Sequence, residues 1–130
     1  MNYAILVSAA PFSTQGAHNA INFCEAAIDA GHRIARVFFY QDGVHNASAL
    51  ACPPQDEPPL TPRWQALHTT HGTDLVVCIA AAQRRGLLDE DEARRHDKPA
   101  ANLAGHFRLS GLGQLAEAAI EADRVVAFHA

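Results

Sequence analysis

The stretch LVVCIAAAQRRG, residues 75–86, decides the fold, because an apolar run passes there directly into a helical segment. Its first five residues, LVVCI, are apolar without polar alternation, which is typical of a strand that is covered on both faces. The segment that follows, AAAQRR, predicts the first turn of a helix. Cys78 therefore lies where the carboxyl end of a strand meets the start of a helix.

Three other runs have the same composition, rich in β-branched or aromatic residues and with little alternation. They are residues 3–8 (YAILVS), residues 34–40 (IARVFFY) and residues 124–128 (RVVAF). Helical patterns lie between the strands, over residues 17–30, 63–70 and 112–122. Strands and helices that alternate in this order predict an α/β fold with right-handed crossovers and a mainly parallel sheet, covered by helices on both sides. The order of the strands stays open.

The ends of the predicted helices carry local signals. Thr14 and Ser110 are the candidate N-caps of the first and third helices, Gly31 is the expected stop of the first, and Pro62 opens the second. A short solvated helix is expected over residues 89–95 (DEDEARR), with acids at its start and bases at its end. The third helix places five apolar residues on one face, namely Leu112, Leu115, Ala116, Ala119 and Ile120.

Length and composition predict one domain that spans residues 1–130. A chain of 130 residues with 48% hydrophobic residues buries a core without the help of disulfides. Residues 51–62 contain five of the seven prolines. We interpret this segment as a loop rather than a domain linker, because neither flanking half could fold alone.

Charge and cysteine content narrow the class of protein. A formal net charge of −4 offers no basic footprint for direct nucleic-acid binding. Residues 3–7 are apolar but have no basic flank, so no signal peptide is expected, and no apolar stretch approaches the roughly 20 residues of a membrane helix. Three widely spaced cysteines form neither a disulfide framework nor a zinc pattern. We therefore expect a soluble protein of the reducing cytoplasm.

Ligands of open parallel sheets gather at the carboxyl ends of the strands, which selects residues 8–16, 40–46 and 78–86. Residues 108–113, before the third helix, are a further segment expected to approach this edge. Residues 9–16 (AAPFSTQG) have neither a dinucleotide fingerprint nor a Walker lysine, so capping explains Ser13 and Thr14 better than phosphate binding does. Residues 108–113 (RLSGLG) are glycine-rich but follow no clear strand. A nucleotide-binding module is therefore an alternative that rests on fold analogy alone.

The eight histidines do not predict a metal site. His68 and His71 lie three residues apart on a short helix, and the others are scattered along the chain. No accompanying cluster of carboxylates or thiolates would complete a set of ligands. Solvated or hydrogen-bonded side chains are the better interpretation for all eight histidines.

The three cysteines differ in position. Cys24 lies on the apolar stripe of the first helix, where inert packing explains it, and Cys52 lies in the proline-rich loop without an activating neighbour. Cys78 is followed by a helix start and by Arg84 and Arg85, which would favour a thiolate able to accept and release sulfur. These residues alone still leave buried, inert packing as the simpler interpretation of Cys78.

A further set of segments is shared with a known family in the same order and at the same spacings. They are GH at 31–32, VFFY at 37–40, DGV at 42–44, Trp64, HG at 71–72, VCIAAAQRRG at 77–86, LSGLGQL at 109–115, EA at 117–118 and DRVV at 123–126. On these segments the sequence resembles the DsrE/TusD subunit family over nearly its whole length. Agreement in order and spacing is more specific than a shared fold would produce.

The resemblance implies a structure and a chemistry. The fold it implies is a three-layer α/β/α sandwich, and the residue it implies as carrier of a persulfide is Cys78. It further implies a heterohexamer with two related DsrF/DsrH-like or TusC/TusB-like subunits, and a DsrC/TusE-type partner with a reactive cysteine on its C-terminal arm. No organic cofactor and no metal come with the family. The segment around Cys78 shows no departure from the family pattern.

The resemblance leaves the pathway divided between two branches. TusD-like members relay sulfur toward 2-thiouridine in tRNA, whereas DsrE-like members serve cytoplasmic sulfur oxidation. Residues 53–56 (PPQD), 82–85 (AQRR) and 112–120 (LGQLAEAAI) look somewhat more like the sulfur-oxidation members. A hypothesis of another class makes the chain a non-catalytic assembly subunit, because the small residues of the third helix suit close packing against a neighbour.

Overall fold

A single five-stranded sheet forms the centre of the computed structural model, which describes residues 1–130. The strands are β1 (Asn2–Val7), β2 (Arg33–Phe39), β3 (Asp74–Cys78), β4 (Phe107–Ser110) and β5 (Arg124–Phe128). Their order across the sheet is β4-β3-β2-β1-β5, and every neighbouring pair is parallel. The predicted parallel sheet is confirmed, and β4 and β5 are its edge strands.

Five α-helices and one 3₁₀ helix connect the strands. They are α1 (Gly16–Asp29), the 3₁₀ helix (Gln41–Ala47), α2 (Thr61–His71), α3 (Ile79–Arg84), α4 (Glu90–Arg95) and α5 (Gly113–Glu121). Arg36 and Phe39 lie three residues apart in β2 and so point to opposite faces of the sheet. Phe39 packs on Trp64 of α2, whereas Arg36 donates to the Gln114 carbonyl of α5. Helices therefore cover both faces, and the chain is a three-layer α/β/α sandwich.

The core is concentrated on the face that α1 and α2 cover. Trp64 is fully buried and meets Phe39 edge-on, with ring centroids 5.0 Å apart. Its indole N–H donates to Oδ1 of the buried Asn46, whose Nδ2 donates to the carbonyl oxygens of Ala9 and Gly43. The one polar side chain among these aromatic rings is thus fully satisfied, as a buried amide requires.

Several local predictions need correction. Ser110 is the last residue of β4 rather than a cap, and Leu112 precedes α5 without a side-chain hydrogen bond. The N-cap of α1 is Gln15, not Thr14, and it also forms no side-chain cap. Gly31 adopts φ +91°, a conformation that other residues rarely adopt, so its predicted role as the stop of the first helix is confirmed.

Strand β4 is not among the strands that the sequence predicts. Residues 107–110 (FRLS) alternate apolar and polar side chains over four positions, which is too short a pattern to separate from a loop. The prediction that the glycine-rich stretch follows no strand is therefore wrong, because it comes directly after β4. In the structure it connects β4 to α5 at the carboxyl edge of the sheet.

The outer surfaces of β5 and α5 are more exposed than the sequence predicts. No residue of β5 is buried, so the prediction that this strand is covered on both faces is wrong for the chain by itself. The predicted apolar face of α5 also lies largely in solvent: Ile120 is 84% exposed and Leu112 is 51% exposed. Only Ala118 of α5 is buried.

Candidate functional site

Cys78 lies at the carboxyl edge of the sheet, beside a cavity of about 300 Å³. It is the last residue of β3 and pairs in register with Ser110, the last residue of β4. Cys78 is 3% exposed and contributes to the lining of this cavity. The residues that line the cavity are Tyr40, Cys78, Ile79, Ala80, Arg84, Gly111 and Leu112.

The local sequence explains why a cysteine is held at this point. The buried strand β3 passes into α3 without a connecting loop, and Cys78 itself is the N-cap residue of that helix. The helix ends after Arg84, and the Leu87 amide donates back to the Ala82 carbonyl. Gly86 permits this reversal because it adopts φ +73°. The sulfur is therefore fixed by backbone on both sides.

The segment that follows β2 forms a second wall of the cavity. Tyr40 ends the strand, and the chain then turns at Gln41, which has φ +50°, into the 3₁₀ helix. The helix sits so close to β1 that a Cβ at Gly43 would lie 2.1 Å from the Val7 carbonyl oxygen. Glycine is thus required there, and it fixes the position of the segment that carries Tyr40.

Arg84 and Arg85 have different surroundings although they are adjacent. The Nε of Arg85 donates to Asp42 at 2.9 Å, and its Nη1 donates to the Ala81 carbonyl at 3.1 Å. Arg84 is exposed, forms no hydrogen bond or ion pair within the chain, and lines the cavity beside Cys78. It is the only charged side chain in the lining.

The other two cysteines lie away from this cavity. Cys24 is fully buried on the core face of α1. Burial, and then the charge of the neighbouring Glu25, raise the pKa of Cys24 to about 12, so this thiol stays protonated at neutral pH. Cys52 is exposed, and its thiol contacts the Leu50 carbonyl at 3.3 Å. The positions predicted for all three cysteines are confirmed.

The histidines are distributed over the whole molecule. His68 and His106 stack with ring centroids 5.0 Å apart, and the Nδ1 of His68 lies 3.0 Å from the Thr73 carbonyl oxygen. His129 lies 2.6 Å from the Ser8 hydroxyl, and His18 has a buried Nδ1 without a partner. No group of three or more histidine, cysteine, aspartate or glutamate side chains is placed to hold a metal ion.

Every residue that lines the cavity falls within the segments that the sequence places at this edge of the sheet, residues 40–46, 78–86 and 108–113. Gly111 and Leu112 join the cavity because β4 pairs with β3, a contact between distant parts of the chain. Tyr40 was placed at the correct edge of the sheet, yet only the structure brings it to the same cavity as Cys78. Ser13 and Thr14 line no part of this cavity.

Comparisons with known proteins agree with this geometry. The model of the DsrE/DsrF-like family matches residues 1–128. A DsrE protein of Allochromatium vinosum is 50% identical over 128 residues, which cover 98% of each chain. The sulfurtransferase TusD of Salmonella newport is 52% identical over 128 residues, which cover 98% of this chain and all of the relative.

Among solved structures, the chain is similar to the YchN protein of E. coli, with a TM-score of 0.75. The match covers 98% of this chain and all of the other, at 17% sequence identity. Identity this low supports the fold alone. Separately, none of the helices is both long and apolar enough to cross a membrane.

Proposed function

The chain belongs to the DsrE/DsrF-like family, and we propose that it is a sulfurtransferase subunit in which Cys78 carries sulfane sulfur as a persulfide. The observation that carries the proposal is the position of Cys78, in the lining of a cavity of about 300 Å³ at the carboxyl edge of the sheet. A relative that is 52% identical over all of its length is named a sulfurtransferase. Neither Cys24 nor Cys52 has a comparable cavity.

The transfer proceeds through two thiol exchanges of the same kind. The Cys78 thiolate attacks the outer sulfur of a donor persulfide, R–S–SH, and the electron pair of the broken S–S bond leaves with the donor as R–S⁻. An acceptor thiolate then attacks the outer sulfur of Cys78–S–SH, and Cys78 leaves as a thiolate. The cysteine ends in the state in which it began, so the relay requires no oxidant, no metal and no organic cofactor.

The surroundings of Cys78 support a protein as donor or acceptor. A side chain that is 3% exposed cannot meet a flat protein surface, so the partner's cysteine must lie on a narrow arm. We propose a carrier protein of the DsrC/TusE type in this role. The location proposed for the relay is the cytoplasm, where thiols stay reduced.

We propose that two related subunits, DsrF/DsrH-like or TusC/TusB-like, complete a heterohexamer with this chain. The exposed apolar side chains of α5 and β5 support this assembly, because Ile120 and Val125 are 84% and 44% exposed in the isolated chain. Large apolar side chains exposed on one face of a protein are typical of interfaces with other subunits. A net charge of −4 agrees with an absence of direct nucleic-acid binding.

Two pathways remain alternatives. Cytoplasmic sulfur oxidation is the first proposal, on the segments described above, and tRNA 2-thiouridine synthesis is the second. The identities of 50% with a DsrE protein and 52% with a TusD protein do not separate them. Trapping mixed disulfides of Cys78 in native extract distinguishes the two. A sulfite-reductase partner in the trapped complex supports oxidation, and a tRNA-thiolating enzyme supports modification.

The experiment that tests the carrier role is intact mass measurement after incubation with polysulfide. The native protein is expected to gain one sulfur atom, and Cys78→Ser is expected to gain none. Cys52→Ser is the matched control, because Cys52 is the exposed thiol of the chain, and it should gain sulfur as the native protein does. An undiminished gain in Cys78→Ser would refute the assignment.

The limited exposure of Cys78 favours one rival hypothesis, that the chain is a non-catalytic assembly subunit. Alkylation by iodoacetamide distinguishes this hypothesis from the carrier role of Cys78. The carrier role predicts that Cys78 reacts in the native protein through its cavity, whereas Cys24 reacts only after unfolding because its pKa is raised to about 12. Reaction of Cys78 only after unfolding would support the assembly subunit instead.

A further inference from the structure

The two arginines that end α3 are separated by their contacts, although both lie within seven residues of Cys78. Arg85 has its guanidinium committed to Asp42 and to the Ala81 carbonyl. Arg84 has no partner within the chain and lines the cavity of Cys78. The difference matters because a cation acts on a bound anion only if it is free to face it.

The cavity gives an anion no other counter-charge. Apart from Arg84, its lining consists of Tyr40, Cys78, Ile79, Ala80, Gly111 and Leu112, none of which is cationic. Asp42, the acid nearest along the chain to Tyr40, is already paired with Arg85. An anion inside this apolar cavity therefore meets one unpaired positive charge, and water screens that charge less there than at an open surface.

From these contacts we propose that Arg84 binds the single negative charge that the attacking and leaving sulfur atoms share during transfer at Cys78, while Arg85 is a positioning residue. The proposal rests on the proposed carrier role of Cys78. In each exchange two sulfur atoms that share one negative charge must approach each other inside the cavity. A guanidinium beside them stabilises that charge while it moves from the attacking sulfur to the leaving one.

Arg85 acts through other residues. Its bond to Asp42 ties the end of α3 to the 3₁₀ helix, and the Tyr40 wall of the cavity immediately precedes that helix. Loss of Arg85 therefore acts on the position of that wall and leaves Asp42 unpaired outside the lining, whereas loss of Arg84 removes the one charge in the lining. This distinction makes Arg85→Gln the matched control for Arg84→Gln, since each variant removes one positive charge and the sites are adjacent in sequence.

The test compares two small reagents at Cys78, iodoacetate and iodoacetamide. Both alkylate a thiolate with loss of iodide and have nearly the same size, but only iodoacetate is anionic. The ratio of their rate constants therefore reports the local positive charge and cancels changes in exposure or in the fraction of thiolate. Alkylation is measured by mass spectrometry of the peptide that contains Cys78, in native protein at neutral pH and low salt.

Arg84→Gln is expected to lower the iodoacetate to iodoacetamide ratio by about three- to tenfold, the order of the Coulomb effect of one charge in the same cavity at high effective dielectric. Arg84→Lys should restore most of the ratio. Arg85→Gln should lower it clearly less than Arg84→Gln does, even if both rates shift, because Arg85 and Asp42 lie outside the lining. Sulfur loading of Cys78 from polysulfide, itself an anion, should slow in Arg84→Gln by a similar factor.

Two outcomes would overturn the assignment of Arg84. One is an unchanged ratio in Arg84→Gln, and the other is an equal fall in Arg84→Gln and Arg85→Gln, which would indicate a general effect of net charge. Because Arg84 is exposed and forms no internal bond, the variant should keep the native melting temperature. If native Cys78 takes up no sulfur while the ratio responds to Arg84, the carrier role fails and the charge assignment stands.

Discussion

The two faces of the sheet are covered in different ways. On one face, α1 and α2 bury Ile21, Cys24, Trp64 and Leu67 against the strands, and these side chains are at most 3% exposed. On the other face, α5 buries only Ala118, and Ile120 points into solvent. The first face completes a core within the chain, whereas the second is left partly open.

Charged side chains add to the packing of Leu115 and Ala118 in holding α5 on the open face. Arg36 donates to Asp74 of β3, to the Gln114 carbonyl and to Glu117 of α5. Arg108 donates to the same Asp74 carboxylate through two nitrogens. Cys78 lies four residues beyond Asp74 in β3, so both side chains point to this face. Cys78, the proposed sulfur carrier, thus lies on the face that the chain itself leaves partly open.

The largest loss of stability is expected when Trp64 is removed from the packed face. Trp64→Ala deletes a fully buried ring and leaves Oδ1 of Asn46 without its donor. We expect the free energy of unfolding to fall by about 3–5 kcal/mol, as for other large-to-small substitutions of core aromatics. Urea denaturation followed by circular dichroism measures the change.

Two further variants, Trp64→Phe and Ile120→Ala, test the same difference between the two faces. Trp64→Phe retains a ring against Phe39 and should cost less, so it remains measurable if the alanine variant does not fold. Ile120→Ala is the control on the open face. Because Ile120 is 84% exposed, its truncation should change the free energy of unfolding by less than about 0.5 kcal/mol. Equal losses for Trp64→Ala and Ile120→Ala would contradict the difference between the two faces.

A smaller effect is expected at Asp74 on the open face. Hydrogen bonds from Arg108 and then Arg36 hold the pKa of Asp74 below its ordinary value, against partial burial, which raises it. Asp74→Asn should lower the free energy of unfolding at neutral pH by about 1 kcal/mol, the upper range for an exposed pair, because the carboxylate joins two arginines. The measurement is urea denaturation at a series of pH values.

The stability that Asp74→Asn removes should depend on pH in one direction, decreasing as the pH falls. The pKa of Asp74 is lowered on folding, so its contribution to stability is complete above the unfolded pKa, near 3.8, and is lost as the pH falls through the folded pKa. The native protein and Asp74→Asn should therefore differ at neutral pH and converge below about pH 4. Asp91→Asn, which affects a solvent-exposed pair with Arg94, should show little difference at any pH. A constant difference down to low pH would refute the role of the carboxylate.

The sequence predicted the packed face better than the open one. Strands β1, β2 and β3 are continuous apolar runs because they are buried by helices of the same chain, and such runs are visible locally. The edge strand β4 has four residues and alternates, so its pairing with β3 is not visible in the sequence. The expected approach of residues 108–113 to the carboxyl edge is confirmed, but the strand that brings Gly111 and Leu112 there was not predicted.

The orientation of α5 on the sheet is a second feature that the sequence did not predict. Its apolar residues were correctly placed on one face of a helix, but periodicity does not say what that face contacts. In the structure, the ion pairs of Arg36 turn Glu117 and Ala118 toward the sheet and leave Ile120 outside. Bonds between side chains distant in sequence fix this choice, and sequence spacing carries no record of them.

The smallest effect on the stability of the isolated chain is expected from substitutions of the exposed apolar residues on the open face. Val125 pairs in register with Ala4, and Ala4 lines a small cavity with Ala118, so Val125 lies on the α5 side of the sheet as Ile120 does. Ile120→Ser and Val125→Ser should each change the free energy of unfolding of the isolated chain by less than about 0.5 kcal/mol.

In the proposed heterohexamer the same substitutions should have a large effect. Burial of an isoleucine or valine at an interface contributes about 1.5–3 kcal/mol, so each variant should weaken association with the related subunits by about tenfold or more. Co-expression followed by sedimentation analysis measures this association. Glu121→Ser, a change at an exposed position of the same helix, is the control and should leave assembly intact. Full assembly with both Ile120→Ser and Val125→Ser would show that a different surface of the chain binds its neighbours. The open face would then serve access to Cys78 rather than assembly.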